Sequence, residues 1–86
     1  MTRYTVSWRP EVLADLADLW SAATDRPAIT AAADQIDELL SNNASDQGIE
    51  IHEGLRAFFA EPLAVYFSVS EPDRLVTVLA VKSATT

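Results

Sequence analysis

The chain has 86 residues and a formal net charge of −7, with six Lys and Arg against thirteen Asp and Glu. That length makes a single domain, residues 1–86, without room for a second core, and a hydrophobic content of 49% excludes an intrinsically disordered chain. The acidic balance disfavours direct nucleic-acid binding, because phosphate backbones are repelled at long range, and the absence of cysteine excludes disulfides and thiolate metal sites.

The opening Met1-Thr-Arg-Tyr-Thr-Val6 lacks the apolar core of a signal peptide, and no apolar run approaches the roughly 18 residues a membrane span needs. The expectation is a cytoplasmic protein with no membrane association. Residues 3–8 then alternate: Tyr4, Val6 and Trp8 share one face, and Thr5 and Ser7 share the other, which predicts a half-buried strand. Pro10 ends it and suits the first turn of a helix, where a missing N–H costs nothing. Val12, Leu13, Leu16, Leu19, Trp20 and Ala23 recur at helical spacing, predicting a helix over 10–23 with both tryptophans in the core. Thr24-Asp-Arg-Pro27 breaks that helix and starts a second. Ile29, Ala32, Ala33, Ile36, Leu39 and Leu40 form its apolar stripe, and Ser41 to Gly48 ends it in loop chemistry. Two helices so closely joined make an antiparallel hairpin.

After Gly48 the period becomes two. Ile49 and Ile51 alternate with Glu50 and His52, Gly54 permits a bulge or turn, and Leu55 to Ala60 continues as extended chain. Leu63, Val65, Phe67 and Val69 share one face of the next strand, with Ala64, Tyr66 and Ser68 on the other. Ser70 to Arg74 is a turn. Leu75 to Val81 is apolar on both faces, which suits a central position. The expected fold is α+β, in the order β-α-α-β-β-β. A helical hairpin packs on one face of a mainly antiparallel four-stranded sheet, over Tyr4, Val6, Trp8, Leu63, Val65 and Phe67. The other face carries Tyr66, Ser68 and Arg56.

No residue set forms an enzyme constellation. Glu50 and His52 share a face if the strand is regular, but a lone His without Cys makes no metal site expected. Gly48 and Gly54 are the only glycines, so no glycine-rich phosphate loop exists and no cofactor is implied. Phe58 and Phe59 point to opposite faces, so one joins the core and the other marks an interface.

The ordered set of segments resembles the RelE/ParE superfamily, the toxin half of type II toxin–antitoxin pairs and of plasmid-stabilisation proteins. Tyr4-Thr-Val-Ser-Trp8-Arg-Pro-Glu11 followed by Leu13-Ala-Asp-Leu16 resembles its opening strand and first helix. Ile36-Asp-Glu-Leu-Leu40 resembles the end of its second helix, and Gly54-Leu-Arg56 the entry to its central strands. Leu63-Ala-Val-Tyr66-Phe-Ser-Val69 and Val76-Thr-Val-Leu-Ala-Val81 resemble its paired C-terminal strands. The resemblance implies that the first strand enters the sheet beside the last. It also implies a cognate antitoxin as partner.

Ribosome-dependent members of that family cleave mRNA with Arg, Lys and often Tyr, cations that stabilise the transition state while RNA supplies the nucleophile. This chain departs from them. Leu63-Ala64 stands where an Arg precedes the Val-Tyr pair, and the end of the last strand, Val81-Lys-Ser-Ala-Thr-Thr86, keeps only Lys82. The ParE branch blocks DNA gyrase by binding rather than catalysis. Three readings follow: a ParE-like toxin acting by protein binding, a divergent mRNA endoribonuclease using Arg56 and Lys82 at the ribosome, and a non-toxic descendant that serves as a homodimeric interaction module. The acidic charge favours the first and third. The partner-binding candidates are Arg56, Phe58, Phe59, Tyr66 and Lys82.

Overall fold

The computed structural model describes residues 3–84. Met1, Thr2, Thr85 and Thr86, on which the readings of the leader and the tail partly rest, lie outside the described residues. In chain order the elements are β1 (Thr5–Trp8), α1 (Pro10–Ala22), α2 (Arg26–Asn43), a 3-10 turn (Ala44–Asp46), β2 (Ile49–His52), β3 (Leu55–Ala60), β4 (Leu63–Ser70) and β5 (Leu75–Ser83). The strands form one mixed sheet in the order β1-β5-β4-β3-β2, with β1 parallel to β5 and every other pair antiparallel. No helix among the described residues is long and apolar enough to cross a membrane.

The sheet has five strands, not the expected four. The reason lies at Gly54, whose φ of +80° is open to glycine at little cost. The chain reverses at Glu53 and Gly54, so the alternating run from Ile49 to Ala60 folds into a β2–β3 hairpin instead of one bulged strand. The second helix also outlasts its expected end. It runs to Asn43, and the 3-10 turn follows where a loop was expected.

Helical periodicity and strand alternation converge on one core. Val12 from α1 and Ile29, Ala32, Ile36 and Leu40 from α2 pack on Leu63, Val65 and Phe67 from β4 and on Val76, Val78 and Val81 from β5. Tyr4 is buried in the same cluster, and Val6 and Trp8 pack against it. The Trp8 indole N–H donates to Asp37 on α2 at 3.2 Å, which ties the first strand to the second helix.

Trp20 is not in that core. It is 43% exposed, and Leu13 is 50% exposed. The apolar stripe of α1 is wider than the sheet and α2 together cover. Trp20 instead lies beneath the Arg26 guanidinium, 4.8 Å from its ring centroid. The same guanidinium donates through Nε to the Trp20 carbonyl at 3.2 Å and through Nη2 to the Ser21 carbonyl at 3.0 Å. These carbonyls belong to the last turn of α1, which has no basic residue of its own, so a side chain from α2 caps it. Asp25 in turn accepts from the Ala28 N–H at 3.2 Å and caps the start of α2. Arg26→Ala is expected to lower stability by about 1 kcal/mol. Arg26→Lys should recover less than half of that loss, because an ammonium neither stacks as a plane nor forks across two carbonyls. Urea melts of the three proteins measure both.

At one end of the sheet the Tyr4 hydroxyl donates to Glu71 Oε2 at 2.8 Å and lies 3.0 Å from Ser45 Oγ, and the Ser45 hydroxyl also donates to Glu71. This links the residue that leads into β1, the 3-10 turn and the β4–β5 turn. The Ser45 hydroxyl first, then that of Tyr4, and the Arg74 cation more weakly, hold the Glu71 carboxyl below its ordinary pKa. A depressed carboxylate stabilises the fold above its unfolded pKa of about 4.3, and that contribution is lost as pH falls through the lower folded value. Wild type should therefore lose thermal stability more steeply than Glu71→Gln as pH drops below about 4.5. Parallel slopes in calorimetry would show that the network carries no linkage.

Candidate interaction face

The helices cover one face of the sheet and leave the other open. Strand register decides which side chains stand on it, because paired residues share a face. One row across the free face is Ile49, Ala57, Tyr66 and Ala80, and the next is Phe59, Ala64 and Lys82. Ile49 is 72% exposed and Phe59 64% exposed, whereas Tyr66 is half-buried and Ala57 and Ala64 are buried beneath their neighbours. The small alanines let the large side chains stand above them. The result is an apolar surface near the β2 edge, with one cation at its rim.

Lys82 reaches this face through an irregularity. β4 and β5 change register between Tyr66 and Phe67, with Phe67 opposite Val78 and Tyr66 opposite Ala80, so Leu79 is the extra residue. A regular strand would group Lys82 with Val76 and Val78 over the core. The bulge sends Val81 inward and Lys82 outward.

Of the five candidate residues, Phe59, Tyr66 and Lys82 come together on the free face. Phe58 packs against the core, as one of the two phenylalanines was expected to do. Arg56 does not stand beside Tyr66. It pairs with Phe67, so it lies on the helix side of the sheet, where Nε donates to the Gln47 carbonyl at 2.9 Å and Nη2 to the Gly48 carbonyl at 3.3 Å. Its half-buried guanidinium clamps the link between the 3-10 turn and β2. The expectation for Glu50 and His52 is corrected as well. A register shift between them leaves Glu50 opposite Arg56 and His52 opposite Leu55, on opposite faces. Among the described residues no three metal-ligating side chains gather in one place.

The sequence reading passed over Ile49 and Ile51, which are exposed on the edge strand β2. Their alternation with Glu50 and His52 was visible. Only the hairpin shows that β2 is the edge of the sheet, with no strand beyond it among the described residues.

No protein-family profile and no curated protein matches the chain. Solved structures do. A chain of the toxin–antitoxin complex RelBE2 from Mycobacterium tuberculosis is 18% identical with a TM-score of 0.81, over 99% of this chain and 97% of that one. A chain of the chromosomal ParDE TA system from P. aeruginosa is 17% identical with a TM-score of 0.74, over 96% and 98%. The isolated E. coli RelE toxin is 13% identical with a TM-score of 0.66, over 96% and 86%. Identities this low speak to architecture alone. The chain has the fold of the RelE/ParE toxin superfamily.

Proposed function

We propose that this protein is the toxin-type member of a toxin–antitoxin pair and that it acts by binding a protein, in the ParE manner, rather than by cutting RNA. One observation carries the second half of that reading. Of the two cations that the strands hold, Arg56 and Lys82, only Lys82 stands on the free face, and it stands among Phe59, Tyr66 and alanines. Phosphodiester cleavage needs positive charge and proton donors aimed at the reacting phosphate. A surface of aliphatic and aromatic side chains with a single rim charge suits a protein contact, where a few large apolar groups carry most of the binding energy. The fold and the complexes in which its relatives occur support the first half, with an antitoxin segment as partner.

The test is induced expression in a bacterial host, with primer extension on translated messages. Growth should arrest with messages intact, and Phe59→Glu should relieve the arrest while leaving the melting temperature within a few degrees. Message cuts that vanish in Lys82→Ala would replace this reading with the endoribonuclease. Unimpeded growth of the wild type would end it.

A further inference from the structure

A cleft of about 580 Å³ opens where the helical hairpin overhangs the end of the sheet. The end of α1 and the start of α2 form one wall, and the Glu61-Pro62 turn between β3 and β4 forms the other. Leu19, Ile29 and Leu63 give it an aliphatic floor, of which Ile29 and Leu63 belong to the core. The space exists because Ala22, Ala23 and Ala28 stand where longer side chains would close it. Two carboxylates reach this aliphatic cleft from facing walls, Asp25 from the link between the helices and Glu61 from the strand turn. Asp25 accepts the Ala28 N–H through Oδ1 alone, which leaves Oδ2 without a protein donor among the described residues. Glu61 meets no cation among those residues, and no Lys, Arg or His lines the cleft.

We propose that this cleft binds an α,ω-diammonium alkane, the chemistry of the short polyamines, with its methylene chain on the aliphatic floor and one ammonium at each of Asp25 and Glu61. The lining presents negative charge on both walls and nothing to offset it, so carboxylates, phosphates and nucleotides are repelled. A neutral hydrocarbon fits the floor but draws water from two carboxylates without replacing it. A metal ion is the poorer occupant, because it needs several oxygens converging on one point. Here the carboxylates belong to separate elements with aliphatic side chains between them, and no three metal-ligating groups gather among the described residues. A diammonium alkane answers both ends, and each methylene taken out of water adds to affinity. The cleft lies on the helix side of the sheet, away from Phe59, Tyr66 and Lys82, so its occupant does not depend on whether the free face arrests growth.

Isothermal titration calorimetry of the full chain with diaminoalkanes of about three to eight carbons tests this, in about 150 mM salt so that the general pull of a net charge of −7 is screened beyond about 8 Å. Affinity should peak at one chain length, where the diamine binds about tenfold more tightly than the alkylamine of equal carbon number. Asp25→Asn and Glu61→Gln should each weaken that diamine about fivefold or more. Asparagine caps a helix as well as aspartate does, so the first variant removes charge and keeps the start of α2. Ala22→Leu, at an exposed position on the cleft wall, should plug the space and weaken binding by a similar factor. Glu53→Gln in the β2–β3 turn removes the same charge far from the cleft and should leave affinity unchanged. The proposal is overturned by the absence of heat at millimolar diamine, by affinity with no optimum in chain length, or by equal binding of diamine and alkylamine. It is overturned too if Glu53→Gln weakens binding as much as Glu61→Gln, which would reduce the effect to the net charge of the chain.

Discussion

Phe67→Ala is expected to lose about 3–5 kcal/mol of folding free energy, the cost of deleting a fully buried aromatic ring and leaving a cavity. Phe67 has no exposed surface and sits in β4, the third of five strands, opposite Val78. Domains of this length are stable by about 4–13 kcal/mol in all, so this one side chain carries a large share of the total. The melting temperature should fall by about 20 °C. Phe59→Ala removes the same ring from the free face, where it is 64% exposed, and should cost less than about 1 kcal/mol. The two melts together test the assignment of faces. Equal losses would mean that the sheet is covered on both sides.

Much of this arrangement was legible in the sequence. Val12, Leu16 and Leu19 mark the buried side of α1, and Ile29, Ala32, Ile36 and Leu40 that of α2, because a 3.6-residue period has few other meanings. Leu63, Val65 and Phe67 alternate cleanly, and β4 has them all on the core. The failures share a cause. Each concerns pairing between segments, which local pattern does not encode. Alternation from Ile49 to Ala60 fits one strand or two, and only the closed hairpin at Gly54 chooses. Leu79 reads as one more apolar residue until β4 pairs beside it and forces a bulge that turns Lys82 outward. Arg56 follows its partner Phe67 to the helix side for the same reason. Trp20 was placed inside because α1 has a wide apolar stripe, yet its width says nothing of how much of it neighbours cover. The contact from Tyr4 to Glu71 spans 67 residues of chain and has no local signature.

The same pairing argument makes Gly48 the most sensitive backbone position. Its φ is +71°, and a Cβ there would collide with the Ala57 carbonyl oxygen on β3. Gly48→Ala therefore adds a left-handed strain of about 1 kcal/mol to a clash with backbone that cannot move without opening the β2–β3 ladder. A loss above about 3 kcal/mol is expected, most of it in β2 and β3. Gly54→Ala is the control: its φ is +80°, but a Cβ would meet nothing within 4 Å, so strain acts alone and the cost should stay near about 1 kcal/mol. The consequence reaches the free face. Gly48 offers its carbonyl to Arg56, and the strand it starts carries Ile49, which stands beside Ala57 of β3, one row from Phe59 of the same strand. Amide exchange should thus rise through Ile49 to Ala60 in Gly48→Ala while the amides of Val76 and Val78 stay protected. Uniform loss of protection would mean that the hairpin and the core unfold as one unit, and that the apolar surface near β2 has no stability of its own to lose.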